Sequence, residues 1–342
     1  MKSSLEKLFA HQDLQEAELK SAIEKCIHGQ VTDAEIAALL TGLRMKGETA
    51  EEIATIADVI RSQSMMSDIQ LSNAIDNCGT GGDQSNSFNI STTAAFVLAG
   101  AGITVAKHGN RSISSKTGSA DVLEELGVSL NFSKVEAKYL LETNKITFLF
   151  APHVHQSLRP FMKVRQDLAL PTIFNLIGPL TNPIALDSQL MGVYQDDQLV
   201  TIAQALKQLG RKRALVVHGA GGMDEASLAG ENKVVYLNHG EITEFTLTAE
   251  DVGLTTHPNK VIQGGDAKQN ANILLSVLKN EASPFLDTVL LNAGLGIFAN
   301  GKASSVQEGV DMARETIASG KALDKLNALI SYSKQRKEEV AQ

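Results

Sequence analysis

Three stretches of this 342-residue chain hold residue types suited to handling an anion. In "DNCGTGGDQSNSFNIST" (76–92), Gly79, Gly81 and Gly82 surround Thr80, Asp83 closes the turn, and Ser87, Asn89, Ser91 and Thr92 follow. Glycines let backbone N–H groups approach a ligand with no Cβ in the way, and a helix opening beyond them adds donors and a favourable dipole for phosphate. The spacing matches neither the P-loop nor the dinucleotide pattern. Two readings therefore stand, a phosphate cradle and a tight structural turn.

The second stretch, "KHGNRSISSKTGSAD" (107–121), puts Lys107, His108, Arg111 and Lys116 among the hydroxyls of Ser114, Ser115 and Ser119. A solvated charged loop is the plain alternative, and the punctuation by Gly109 and Gly118 favours a cradle. In the third, "HGAGGMDEAS" (218–227), Asp224 and Glu225 are adjacent carboxylates on a glycine-softened loop. Hard oxygen ligands of this kind suit Mg²⁺ bridging to phosphates, a role that takes only one or two protein carboxylates. Alone, a DE pair is also ordinary surface. His155 and Arg165 lie ten residues apart in a proline-rich segment; arginine receives carboxylates in bidentate fashion, though either residue also serves structure. The other histidines show no zinc-ligand spacing, and no nucleophile has a neighbouring base.

These loops need elements to hold them. Residues 1–65 read as three amphipathic helices in a row: apolar positions from Leu14 to Ile27 stopped by Gly29, then two capping boxes, Thr32-x-x-Glu35 and Thr49-x-x-Glu52, with Gly47 as the stop between them. From about residue 75 short β-branched runs take over: one ending near Asn77, then 103–109, 146–152, 213–219 and 233–238. Helical patterns at 91–101, 119–126, 133–143 and 196–209 alternate with them, and Ser91 is placed to cap the first. The alternation predicts an α/β layer with a mainly parallel central sheet flanked by helices, where ligands bind at the carboxyl ends of strands. Residues 266–332 return to helix. Four of the seven prolines fall in 159–183, which reads as a crossing between subdomains. The expected division is a small helical domain at 1–70, joined by helices near 157–190, and an α/β domain built from 75–156 and 191–342.

Composition narrows the function. A hydrophobic fraction of 43% and a charged fraction of 20% describe a globular protein. The net charge of −8 argues against a nucleic-acid binder. The charged N-terminal twenty residues lack a secretory h-region and no apolar run approaches 18 residues, so a cytoplasmic protein without a membrane partner is expected. Cys26 and Cys78 form no CxxC and suit a reducing compartment.

Taken in order, "GTGGD", "NIST", "KHGNRSISSKTGSADVLEELGV", "FNLIGPLTNP", "VVHGAGGMDEAS" and "GGDAKQNANILLSVL" make the chain resemble the anthranilate phosphoribosyltransferases from its N-terminal helices to about residue 329. That resemblance implies a homodimer, a fold shared with pyrimidine nucleoside phosphorylases, and Mg²⁺-dependent transfer of phosphoribose from phosphoribosyl pyrophosphate (PRPP) to the amine of anthranilate. It assigns to PRPP the loop positions Gly79, Gly82, Asp83, Ser87, Asn89, Ile90, Ser91 and Thr92. The segment Lys107, His108, Gly109, Asn110, Arg111, Ser112, Ile113, Ser114 and Ser115, with Ser119, wraps the same ligand. Ser91, Asp224 and Glu225 match the family's magnesium positions; Gly79, His108, Asn110, His155 and Arg165 match its anthranilate contacts. The chain departs from the family pattern at His155-Gln156, where His-Pro is usual, and at Leu168–Thr172, where Leu-Gly-x-Arg-Thr is usual. A transferase for another aromatic acceptor, a pyrimidine nucleoside phosphorylase and a non-catalytic nucleic-acid-binding homologue are the alternatives.

Overall fold

A computed structural model describes residues 1–111 and 117–340. Four helices, not three, open the chain: α1 (Lys2–Phe9), α2 (Glu16–Ile27), α3 (Asp33–Lys46) and α4 (Ala50–Ser62). The extra one is α1, and Leu14 lies in the turn before α2. Both capping boxes form. The Glu35 N–H donates to Thr32 Oγ1 at 3.2 Å while the Thr32 N–H donates to Glu35 Oε2 at 2.9 Å, and Thr49 and Glu52 repeat the exchange. Gly29 and Gly47 end their helices at φ +66° and +88°, a backbone region that favours glycine.

Seven strands make one mixed sheet in the order β3-β2-β1-β4-β5-β6-β7. They are β1 (Ala74–Gly79), β2 (Thr104–Gly109), β3 (Ile146–Phe150), β4 (Ser188–Gly192), β5 (Arg213–His218), β6 (Asn232–Asn238) and β7 (Glu241–Leu247). The first five run parallel, as expected, and β6 and β7 add an antiparallel edge. Strands β4 and β7 are not foreshadowed in the sequence. Strand β4 starts at Ser188, directly after the proline-rich crossing. Strand β3 stops at Phe150, since Ala151 and Pro152 open a short helix instead. Helix α5 (Ile90–Gly100) follows β1; its N-cap is Asn89, so Ser91 sits in the first turn and not at the cap.

Strand alternation sends successive side chains to opposite faces, and each face feeds its own core. Leu190, Leu215, Val217 and Val234 pack with α5 and the long helix Pro284–Asn300. Met191, Ala214, Val216 and Val235 join α2, α3 and α4 on the other side. Phe161, Phe174 and Leu180 from the proline-rich crossing belong to that second core. The sheet is thus the shared wall between the helical bundle and the larger layer.

Candidate active site

Strand order reverses beside β1: the chain runs outward through β2 and β3 on one side and through β4 and β5 on the other. Open α/β sheets bind ligands at such a switch point, at the strands' carboxyl ends. Here Gly79 of β1 pairs with Gly192 of β4, and the loop after β5 lies across both. A Cβ on Gly79 would overlap the Asp224 carboxylate, and one on Gly192 would overlap the Asp224 backbone carbonyl. Only glycine at these two positions lets the acidic loop settle onto the sheet edge. Gly192 was not singled out in the sequence; its place at the end of a strand that the sequence does not announce hid it.

The acidic loop is then tied to the glycine loop. The Gly81 N–H donates to Asp224 Oδ2 at 2.6 Å, the Asp224 N–H reaches Asp83 Oδ2 at 3.4 Å, and the Ser91 N–H donates to Glu225 Oε1 at 3.1 Å. Lys107, on β2 and nearly fully buried, donates its Nζ to the Asn77 carbonyl at 2.5 Å and approaches Ser91 Oγ at 3.4 Å. Asn77 in turn donates to the Ser91 carbonyl at 2.8 Å. Gly79, Asp83, Ser91, Lys107, Asp224 and Glu225, distant in sequence, are thereby brought together.

Crowding acid groups in a dehydrated corner disfavours their charged forms. Burial, then Asp83 and Glu225, push the Asp224 carboxyl well above the usual carboxylate range. Burial raises Glu225 to about 7 against the opposing pull of Lys107 and the Ser91 hydrogen bonds. A divalent cation would relieve this excess of negative charge, so the donor set fits Mg²⁺. Among the described residues no three His, Cys, Asp or Glu side chains are grouped to hold a metal ion by themselves.

Around this corner, Asn89 donates to the Thr117 carbonyl at 3.2 Å and accepts from Asn270 at 2.8 Å. The Ser87 segment forms a bridge to Gln263, while Ile90 and Thr92 are buried in the first turn of α5. Gly82 is exposed with φ +87°. At the end of β2, the Asn110 carbonyl accepts from Ser119 Oγ at 3.1 Å, and Gly109 would meet Ser119 if given a side chain. Arg111 is engaged by Asp121 and Glu124, each at 2.7 Å. Ser112, Ile113, Ser114 and Ser115 lie outside the described residues.

The second group is of different character. His108 and His155 are buried and meet edge to face with ring centroids 5.3 Å apart. Burial, then the neighbouring His155 and Lys107, hold His108 well below its usual pKa; burial lowers His155 to about 4. Both imidazoles are neutral near pH 7. Arg165, on the helix Arg159–Leu168, is half-buried with its guanidinium 5.3 Å from the Phe174 ring centroid and one N–H on Met162 sulfur at 3.6 Å. No carboxylate among the described residues pairs with it. The structure joins the two histidines directly, whereas Arg165 belongs to the packing of the crossing segment.

Comparison with known proteins agrees with this arrangement. A profile described as the helical bundle domain of a glycosyl transferase family matches residues 2–64, and one described as its a/b domain matches residues 71–323. The anthranilate phosphoribosyltransferase of Oceanobacillus iheyensis is 57% identical over 340 residues, 99% of this chain and 100% of that protein. The Thermus thermophilus enzyme superposes with a TM-score of 0.92 at 39% identity, over 97% of this chain and 99% of that one. The Saccharomyces cerevisiae enzyme has been solved with PRPP and Mg and with 4-fluoroanthranilate; the TM-scores are 0.89 and 0.87, each at 28% identity over 97% of both chains.

Proposed function

The chain belongs to the anthranilate phosphoribosyltransferases, glycosyltransferases of tryptophan biosynthesis, and from that premise we propose how its residues divide the reaction. The observation that carries the division is the interlock of Gly81, Asp83 and Ser91 with Asp224 and Glu225 at the switch point. These residues form the PRPP and metal side. Gly79, Gly82, Asp83, Ser87, Asn89, Ile90, Thr92, Lys107 and Ser119 serve the phosphates and ribose, and the assignment to PRPP extends along residues 107–115. Ser91, Asp224 and Glu225 hold Mg²⁺, whose charge, when bound, stabilises the departing pyrophosphate.

His108, Asn110, His155, Arg165 and the exposed edge of Gly79 form the acceptor side. Arg165 is a partly desolvated cation with no carboxylate partner among the described residues, which suits the carboxylate of anthranilate. The neutral histidines add no charge that would compete for it. The aromatic amine is already unprotonated at pH 7, so the chain supplies no base. Its contribution is to hold the amine in line with the ribose C1 and to stabilise charge on the leaving group.

Two further assignments complete the reading. The helical unit comprises residues 1–70 with the crossing segment from 157, supported by the core that Phe161, Phe174 and Leu180 share with α2–α4. The protein works as a homodimer through this unit, supported by an apolar groove of about 360 Å³ between α1 and α3, where Phe9 and Met45 stand 65% and 73% exposed. Two free cysteines are in keeping with a cytoplasmic setting. Among the described residues no helix is long and apolar enough to cross a membrane.

The decisive test follows anthranilate fluorescence after mixing the protein with PRPP and Mg²⁺. Loss of signal that EDTA abolishes is expected. Loss that persists in EDTA would overturn the metal assignment, and no loss in a protein that still binds PRPP would overturn the acceptor assignment.

A further inference from the structure

We infer that the buried carboxylate of Asp76 is a positioning residue for the acceptor side, fixing the two histidine rings through Asn182 and the backbone of His108. This rests on the acceptor roles proposed above for His108 and His155. Asp76 lies on β1 three residues before Gly79 and is completely buried. Three donors from two strands and a turn converge on it. The His108 N–H reaches Oδ1 at 3.2 Å, Asn182 Nδ2 reaches Oδ2 at 2.9 Å, and the Cys78 thiol approaches Oδ2 at 3.6 Å. Both carboxyl oxygens thus serve as acceptors, although burial raises the Asp76 pKa against the opposing pull of Lys107 and of these donors.

Asn182 is equally buried and fully used. Its amide also donates to the Ala106 carbonyl at 2.7 Å, and its Oδ1 accepts from the Ile184 N–H at 3.0 Å. The end of the 3₁₀ turn Gly178–Thr181 is thus fastened to both β1 and β2. His108 Nε2 and both ring nitrogens of His155 have no hydrogen-bond partner among the described residues, so the rings are held by the backbone that carries them and by their contact with each other. The turn, β2 and the ring pair therefore share one anchor.

Its chemistry explains why the anchor is a carboxylate despite the cost of burying a charge. Aspartate offers an acceptor oxygen to each of two segments. An asparagine of the same shape offers one, and its amide would oppose either the His108 N–H or Asn182 Nδ2, donor against donor. The Asn182 amide cannot rotate away without surrendering Ala106 and Ile184.

The test is steady-state kinetics of Asp76→Asn with both substrates varied, alongside Asn182→Ala, His155→Ala and Ser188→Ala. Ser188 is a buried hydroxyl on β4, bonded to Ala74 and Asn300 and remote from the rings. Asp76→Asn and Asn182→Ala are expected to raise the anthranilate KM roughly tenfold, the scale of one lost buried hydrogen bond. The PRPP KM should stay within about twofold, since removing negative charge beneath an anion site does not weaken anion binding. Ser188→Ala should show no such split. An equal rise in both KM values, or an unchanged anthranilate KM in a folded variant, would overturn the inference. If Asp76→Asn does not fold, Asn182→Ala decides, because it cuts the same link and keeps the carboxylate. An unchanged anthranilate KM in His155→Ala would refute the acceptor assignment and this inference with it; a rise there without one in Asp76→Asn refutes this inference alone.

Discussion

The group of residues proposed for PRPP and the group proposed for the acceptor are built by opposite electrostatic means. The first crowds three carboxylates and a lysine against backbone at one sheet edge, and holds Asp224 and Glu225 above their usual pKa. The second combines two buried, neutral imidazoles with one arginine that has no carboxylate partner among the described residues, and holds His155 near 4. Crowded carboxyls of this kind favour their protonated forms until a cation arrives to replace the protons. A side that must admit a single carboxylate needs only one unpaired cation in otherwise neutral surroundings. The difference also lies in construction. The residues proposed for PRPP lie at strand ends and the first turn of α5, whereas Arg165 comes from a helix whose Phe161 and Val164 pack in the core of the helical bundle.

Removing the crowded carboxyls gives the largest effect. Asp224→Ala combined with Glu225→Ala should cost about 3–5 kcal/mol of transition-state stabilisation, read from kcat/KM. Near wild-type turnover would break the metal assignment. Arg165→Ala should cost about 1.5–3 kcal/mol, the range for a hydrogen-bonded charged group, and the loss should fall on the anthranilate KM and leave that of PRPP in place. Equal losses for both substrates would erase the division into two sides.

Packing gives a third contrast. Gly192→Ala, which drives a methyl into the Asp224 carbonyl, should destabilise the protein by about 1–3 kcal/mol in urea unfolding. Gly178→Ala, in the acceptor-side turn where a Cβ meets nothing within 4 Å and φ is −46°, should shift stability by no more than about 0.5 kcal/mol. Similar losses at both positions would show that the acidic loop does not need its close approach to the sheet.

Titration separates the two sides most gently. A raised carboxyl pKa means that Glu225 carries its proton below about pH 7 in the metal-free protein, and binding must release it. Mg²⁺ affinity in the presence of PRPP, measured by calorimetry, should therefore fall as pH drops below 7, by up to about tenfold per pH unit for one released proton. His155, with a lowered pKa of about 4, stays neutral across the same range, so the anthranilate KM should be flat from pH 6 to 8. A matching pH slope on both sides would contradict the contrast.

Local chemistry made much of this legible in the sequence. Thr32 and Glu35, like Thr49 and Glu52, announce helix starts because a capping box satisfies its own backbone within four residues. The five strands read from β-branched runs carry their signal in the same local way, and the motifs around Gly79, Lys107 and Asp224 pointed to an anion before any fold was known. Ser91 misled, because a residue whose hydroxyl could cap a helix instead sits in its first turn, with its backbone N–H on Glu225. Strand β4 escaped because "SQLMG" is too short and too mixed to announce itself; its strand character comes from being flanked on both sides by parallel partners.

The sequence by itself determined the family of loops, the helix boundaries with their own caps, and the types of group available for phosphate, metal and carboxylate. Only the tertiary structure decided which of these groups meet. Asp224 reaches Gly79 across 145 residues because β4 and β5 lie on the side of β1 away from β2, and Asp76 meets both His108 and Asn182 because β2 pairs with β1 and the turn folds back onto both strands. Neither contact leaves a local trace. Both depend on strand order, which is set by how two cores divide one sheet, and that is a property of the whole chain's packing.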